Sequence, residues 1–480
     1  MPSFFPRVLR VGAVTLCLAT VPTLAQPARE RVLSRLQEAK TRLQAAKTRL
    51  QSMKGKVSEE EFKEYEAQLR EQEEQLQEQE AELRGGGAES QPASPSPSRP
   101  SSREPGPSSP SPEPATAPVQ TSAPRGSGKC RGGKFTLGSP MSYRVGTQPS
   151  AIAVADFDAD GNLDMAVANP AQSGAKSPVN IFLGRGDGTF SKAADVLAIS
   201  PFAVAAGDFD EDGKLDLIVG EAHQNSNVRI YPGKGDGTFL PNIEVQLGAY
   251  AASLALADFN GDKHLDFAVA FNASPSGVAT YLGQGDHTFT RSMAGGVNGG
   301  PLDMAMGDLN GDGRPDLAAA HPSGSLALYL SKADGTFQGS QLKPAPYAPR
   351  SVAIGDFNGD NKGDVIMGDK QVARLALFPG LGDGTLGKAT YLDVGAGPND
   401  LVARDMNGDG KLDVVVANAG SNQVTLLMGK GDGTFTSQTE PLEGGPNTLA
   451  VADFNEDGVL DVAVGLLKAN SVSVLPGHCF

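Results

Sequence analysis

The stretch Asp405-Met-Asn-Gly-Asp-Gly-Lys-Leu-Asp413 decides the fold. It places side-chain oxygens at positions 1, 3, 5 and 9 of a nine-residue loop, a spacing that suits a hard, oxygen-seeking cation such as Ca²⁺. Gly410 at position 6 permits the sharp turn that folds the donors back around an ion. Position 7 would add only its backbone carbonyl. Apolar, β-favouring residues flank the loop on both sides, so it reads as a tight connection between two strands.

The stretch recurs with first residues Asp156, Asp208, Asp258, Asp308, Asp356, Asp405 and Asp453, at intervals of 48 to 52 residues. A fixed period of about 50 residues built from short strands is the signature of a β-propeller. Seven copies predict seven blades. Position 5 is always Asp (Asp160, Asp212, Asp262, Asp312, Asp360, Asp409, Asp457), and so is position 9 (Asp164, Asp216, Asp266, Asp316, Asp364, Asp413, Asp461). Position 3 is Asp158 and Asp210, then Asn260, Asn310, Asn358, Asn407 and Asn455. Asn keeps the carbonyl oxygen and drops the charge. Position 7 runs through Asn162, Lys214, His264, Arg314, Lys362, Lys411 and Val459. A position that lends only its backbone oxygen is free to vary in this way, and Lys or Arg is no side-chain ligand for a cation. At position 6, Lys263 and Asn361 replace glycine; the loop at Asp258 departs furthest, because lysine tolerates a left-handed backbone poorly. These residues predict up to seven structural Ca²⁺ sites.

The 480-residue chain carries a formal charge of −15. That balance argues against binding a nucleic-acid backbone. Much of the charge lies in the loops, and seven divalent ions would almost neutralise it. Without metal, three or four carboxylates repel one another in each loop, so the fold is expected to depend on the ion. Five histidines and no tryptophan leave few catalytic or sugar-stacking side chains.

Residues 1–25 read as a secretory signal. Arg7 and Arg10 precede a short apolar run from Val11 to Ala25, with cleavage expected before Gln26. The run is too short to span a membrane comfortably, so no span is expected after cleavage. Cys17 offers a competing lipid-anchor reading, against which Leu16 is a poor processing residue. Residues 26–84 read as helical, with one heptad seam at Leu36, Ala39, Leu43, Ala46, Leu50, Met53 and Val57. A second follows at Phe62, Tyr65, Leu69, Leu76 and Leu83, after a capping box of Ser58 and Glu61. A hairpin folded at Gly55 and a coiled coil that joins chains both satisfy this pattern. Residues 85–128, rich in Gly, Ser and Pro, read as a disordered linker. Residues 129–480 are the propeller.

Each blade is expected to hold four strands. In the sixth copy, strand one runs into Asp405, strand two is Val414–Ala417, strand three is Val424–Met428, and strand four begins near Thr434-Phe435. Between strands three and four lies Gly-Asp-Gly-Thr-Phe or a variant, a hairpin signal whose Phe should pack between blades. Its copies are Gly186 to Phe190, Gly235 to Phe239, Gly285-Asp-His-Thr-Phe289, Ala333 to Phe337, Gly382 to Leu386 and Gly431 to Phe435. These read as turns and packing, with no chemistry. Six such turns follow seven loops. The N-terminal piece, from Cys130 through Phe135 to Val145, should therefore complete the last blade.

The repeat Val-Ala-x-(Gly/Ala)-Asp-Phe-Asn-Gly-Asp-Gly-x-x-Asp-(Leu/Val)-x-Val, followed by Gly-x-Gly-Asp-Gly-Thr-Phe, resembles the FG-GAP or VCBS-type repeat. It is similar to the propeller at the head of integrin α chains, over about residues 130–480. The resemblance implies an all-β, seven-bladed propeller with structural calcium between strands one and two, and with partners bound on the opposite face. It does not reach the helical segment or the linker.

The expected function is a secreted or surface-exposed binding and adhesion module, not an enzyme, whose partner is an extracellular protein or glycan. A calcium-dependent polysaccharide lyase and a lectin are the alternatives. The candidate surface comprises Asn169, His223, Asn272, His321, Asp369 and Asn418 after strand two. Between blades it adds Gln148, Tyr250, Asp303, Tyr347, Arg350, Asn399 and Asn447. Cys17 leaves with the signal, so Cys130 and Cys479 are expected to pair as a disulfide at the closure of the ring.

Overall fold

The computed structural model describes residue 130 and residues 134–480 apart from 172–173, 224–226, 273–275, 295–299, 339–340 and 346–347, together with Lys40, Lys47 and Arg70. The expected signal, helical seams and linker lie outside the described residues. No helix among those described is long and apolar enough to cross a membrane.

Among the described residues, the chain from Phe135 onward forms seven antiparallel blade sheets and one separate two-stranded ribbon. Blade six follows the sequence reading closely, with strands Pro398–Arg404, Asp413–Asn418, Gln423–Gly429 and Phe435–Pro441. Blade one differs in its outer edge, where Phe190–Lys192 and Val196–Ile199 both pair with the long third strand Lys176–Gly184. In blade seven, Met141–Arg144 from the N-terminus pairs with the third strand Ser471–Leu475 and closes the ring.

Each blade is covered on both faces by its neighbours. Its middle strands are therefore buried throughout, as in Asp413–Asn418, and read as unbroken apolar runs where an open sheet would alternate. Seven apolar clusters result, one at each blade interface. Ile152, Val154 and Met165 of blade one pack on Ala450, Phe454 and Val472 of blade seven in the cluster that completes the circle. The phenylalanine of the hairpin motif fills these interfaces as expected. Phe239 packs edge-on against Phe157, Phe289 against Phe209, and Phe337 against Phe259. In each pair the partner is position 2 of the preceding blade's nine-residue loop.

The same hairpin also docks through its backbone. The N–H groups of Gly188, Gly237, Gly384 and Gly433 donate to the carbonyls of Phe454, Phe157, Leu309 and Phe357, each at position 2 of the preceding loop. Blade seven has no covalent hairpin at this place. There, Phe135–Leu137 pairs with Gly477–Cys479 in the register Phe135↔Cys479 and Leu137↔Gly477. Leu137, rather than Phe135, thus stands opposite the glycine that faces the motif phenylalanine in blades one, two, three and six. Cys130 and Cys479 are joined by a disulfide, with Cα atoms 4.9 Å apart. The Cys130 N–H donates to the Asn407 carbonyl at 2.9 Å, so the bridged segment takes over the docking role of the missing turn.

Candidate functional site

All seven nine-residue loops share one hydrogen-bond pattern. The position 6 N–H donates to Oδ2 of the position 1 aspartate: Gly161 to Asp156, Gly213 to Asp208, Lys263 to Asp258, Gly313 to Asp308, Asn361 to Asp356, Gly410 to Asp405 and Gly458 to Asp453. The position 5 N–H donates to the side-chain oxygen at position 3, as from Asp409 to Asn407 at 2.8 Å. The position 7 N–H donates to position 5, as from Lys411 to Asp409 at 3.0 Å. Side-chain-to-backbone turns of this kind suit Asp and Asn and pull the donors inward.

Positions 4 and 6 are left-handed in every loop. At position 4 this falls on Ala159, Glu211 and Glu456 as well as on glycines. Sequence reasoning identified only position 6. Lys263 at φ 74° adopts the shared backbone, so the loop at Asp258 keeps the common geometry despite its sequence.

Position 9 has a role that its sequence pattern did not show. Asp413 is 1 % exposed. Its Oδ2 accepts the Met406 N–H at 2.9 Å and its Oδ1 the Gly429 N–H at 2.7 Å. Asp164, Asp216, Asp266, Asp316, Asp364 and Asp461 make the same pair of bonds, to the backbone of position 2 and of the end of strand three. This carboxylate therefore ties the loop to the blade whether or not it touches an ion. Burial pushes Asp164, Asp413 and Asp461 up to about 7, backbone hydrogen bonds oppose it, and neighbouring loop carboxylates add to it. Asp266, Asp316 and Asp364 rise to about 6 for the same reasons. Replacing Asp413 by Ala strands two buried N–H groups, so a loss of about 3–5 kcal/mol is expected. Asp409→Ala, at an exposed position, should cost about 1 kcal/mol or less under the same conditions. Urea unfolding in chelator checks this; equal losses would show that position 9 has no clamping role.

Several donors remain uncommitted. Oδ1 of Asp156 and of Asp453 is buried with no hydrogen-bond partner among the described residues. In loop one, carboxylate oxygens of Asp156, Asp158 and Asp164 lie within 4.8 Å of one another, and in loop two those of Asp208, Asp210 and Asp212 do so. Buried acceptors without donors, gathered among like charges, fit a hard dication. The side chains at position 7 stay outside. Lys214 and Arg314 reach back to Asp212 and Asp312 at 3.0 and 3.4 Å. Exposed pairs of this kind add little stability.

On the opposite face the structure divides the expected surface. Asn169, His321, Asp369 and Asn418 are buried strand ends. Asn418 donates to the Val416 carbonyl and to Thr425, and Asn169 donates to the carbonyls of Val167 and Pro178. They serve the fold and present no surface. Tyr347 lies outside the described residues. Asp303, Arg350, Asn399 and Asn447 line the central channel, a cavity of about 200 Å³. Bulges at the start of five inner strands skip Phe202, Ala252, Arg350, Asn399 and Asn447 out of register, and all five line the channel. Asp303 accepts from Ser253 and from the Val352 N–H, and Asp400 from Ser351 and the Leu449 N–H, so each carboxylate ties its own inner strand to those of both neighbouring blades. Burial and the neighbouring Asp303 raise Asp400 to about 6.

Sequence reasoning also missed His287. Taken for an ordinary turn residue, it lies 2.9 Å by Nε2 from Asp216 Oδ2 and 3.6 Å by Nδ1 from Asp210 Oδ2, nine-tenths buried. The sign was available, because a histidine replaces glycine in one copy of a near-invariant turn.

A closed ring of seven repeats, each with an oxygen-rich loop after its inner strand, defines a repeat propeller of the kind that serves as a binding scaffold. The chain belongs to the family of FG-GAP-like repeats, whose profile matches residues 156–219, 208–269, 258–319, 308–367 and 405–464. Every matched segment starts at position 1 of a loop. No curated protein is detectably similar in sequence. Among solved structures, BBS1N in complex with ARL6DN superposes with a TM-score of 0.53 in its lead-soaked crystal, at 12% identity over 71% of this chain and 96% of that one. An Agrocybe aegerita lectin that recognises non-reducing terminal N-acetylglucosamine aligns at TM-score 0.46 and 18% identity, over 69% of this chain and 85% of that one. At these identities the likeness is one of fold alone.

Proposed function

We propose that this protein is an extracytoplasmic, calcium-stabilised binding module that holds its partner at the channel mouth opposite the metal loops, and that it is not an enzyme. Calcium would be held by the side chains at positions 1, 3 and 5, with position 9 and the position 7 carbonyl completing the shell. The partner is an extracellular protein or glycan.

One observation carries the choice of face. Asn399 donates to Asn447, and Asn447 to the Pro149 carbonyl. That leaves Asn399 Oδ1 buried without a hydrogen-bond partner among the described residues. Arg350 lines the same mouth. An unfilled acceptor in a channel that also carries a cationic side chain is what an incoming polar ligand would satisfy.

The test is retention of the calcium-loaded full-length protein on immobilised extracellular-matrix proteins and on a glycan array. Arg350→Glu, with the melting temperature unchanged, and Asn399→Leu, which also loses its bond to Asn447, should each weaken the strongest binding by about tenfold or more. Undiminished binding by both variants would move the site elsewhere, and release of unsaturated sugar products would favour the lyase alternative.

A further inference from the structure

The hairpin that docks on the preceding loop offers one residue a direct view into that loop. In most blades this residue is glycine. A Cβ placed on Gly188 would meet Asn455 Cβ at 3.4 Å, on Gly335 Asn260 Cβ at 3.1 Å, and on Gly433 Asn358 Cβ at 3.7 Å. Each contact is with position 3 of the neighbouring loop. At Gly237 and Gly384 the nearest atoms belong instead to Leu183 and Leu330, so a side chain at this place lies against the preceding blade, beside its loop. In blade three the residue is His287. Its backbone stays left-handed at φ 60°, and its N–H still donates to the Phe209 carbonyl at 3.3 Å.

The loop it enters is unusual in its own donors. Positions 1, 3, 5 and 9 are all Asp in loop two, whereas position 3 is Asn in five of the other six loops. Nitrogen of His287 and carboxylate oxygens of Asp210 and Asp216 lie within 4.8 Å of one another, and Asp210 shares a second such group with Asp208 and Asp212. On the outer side, His264 of blade three meets Glu211, at position 4 of the same loop, at 2.6 Å. Two of the chain's five histidines thus converge on one loop.

We infer that loop two, completed by His287 from the next blade, is a mixed nitrogen and oxygen site that takes a borderline transition-metal dication of the zinc class in preference to Ca²⁺. The inference rests on reading the loops as metal sites. Imidazole suits zinc-class ions, whereas Ca²⁺ takes oxygen ligands almost alone. His287 Nε2 and Asp216 Oδ2 are 2.9 Å apart, the distance of a hydrogen bond, so a proton holds the pair when no ion does. The Glu211–His264 link steadies the loop from outside, as second-layer contacts do around metals.

The test uses full-length protein without a polyhistidine tag, equilibrated with one equivalent of Zn²⁺ in excess Ca²⁺, freed of unbound ions by gel filtration, and assayed for both metals. The expected result is one tightly held Zn²⁺ per chain. His287→Gly restores the residue that other blades carry and should keep the fold. It should weaken Zn²⁺ binding by at least about 100-fold and gain one Ca²⁺. Asp210→Asn, the position 3 residue of most loops, should also weaken Zn²⁺ binding while the remaining Ca²⁺ stays. With Co²⁺ as probe, the visible spectrum of the wild type should change on His287→Gly. Calcium in all loops with no retained Zn²⁺, or equal retention by His287→Gly, would overturn this inference alone. Binding of neither ion would overturn the calcium reading with it.

Discussion

Chelated protein is expected to melt lower than calcium-loaded protein by roughly 10 °C or more at pH 7.5, and the two forms should respond to pH in opposite directions. The first effect is mass action. An ion held only by the folded chain adds about 2.7 kcal/mol when its free concentration is a hundred times its dissociation constant. Several loops contribute together. The second effect follows from the position 9 carboxyls. Burial, aided by the neighbouring loop charges, lifts Asp164, Asp413 and Asp461 to about 7 and Asp266, Asp316 and Asp364 to about 6 in the metal-free fold. The unfolded chain loses these protons near pH 4. Between about 4 and about 7 the metal-free folded state therefore binds more protons than the unfolded state, so its stability falls as pH rises through that window. Ca²⁺ needs deprotonated ligands, so the loaded form should gain stability over the same range. Melting curves at pH 5 and 7.5, with calcium and with chelator, give four numbers. Parallel slopes in the two forms, or no calcium effect at pH 7.5, would contradict the structural role assigned to the loops.

Reduction of Cys130–Cys479 should produce the next largest loss. The bond spans 349 residues of sequence. Chain-entropy arguments give on the order of 5 kcal/mol for closing a loop of such length, as an upper figure. Its position makes the effect local as well as global. In six blades a covalent hairpin joins strand three to strand four, whereas in blade seven the outer strand Met141–Arg144 comes from the other end of the chain. Cys130, Phe135 and Leu137 belong to the apolar cluster between blades six and seven. Opening the bond should therefore release Phe135–Leu137 and Met141–Arg144 first. Hydrogen exchange of these two strands should rise well before exchange in the inner strand Pro446–Ala452. Uniform exchange across blade seven after reduction, with an unchanged unfolding midpoint, would show that sheet pairing alone closes the ring.

Much of this was written in the chain because the repeat compares itself. Seven copies separated the invariant aspartates from the variable position 7, and the count of loops against hairpins foretold the ring closure that Met141–Arg144 makes with Ser471–Leu475. The alternation of Asp, Asn and Gly encodes local turns, and local turns depend on neighbours in sequence. The expected surface fared unevenly. Asn169 and Asn418 end strands and are polar, as surface residues would be, yet they are buried, with their side-chain amides spent on hydrogen bonds within their own blade.

Tertiary structure decided whatever depends on the contact between blades. Position 9 reads as a ligand in sequence, but its bond to the end of strand three, as from the Gly429 N–H to Asp413, exists only once that strand returns beside the loop. Arg350, Asn399 and Asn447 reach one channel mouth because bulges in separate strands align around a common axis. His287 is 71 residues from Asp216 in sequence and 2.9 Å from it in space. The repeat period fixes which residues build a blade. Which residues of one blade complete the site of another depends on closing the ring, where side chains about 50 or more positions apart first come within reach.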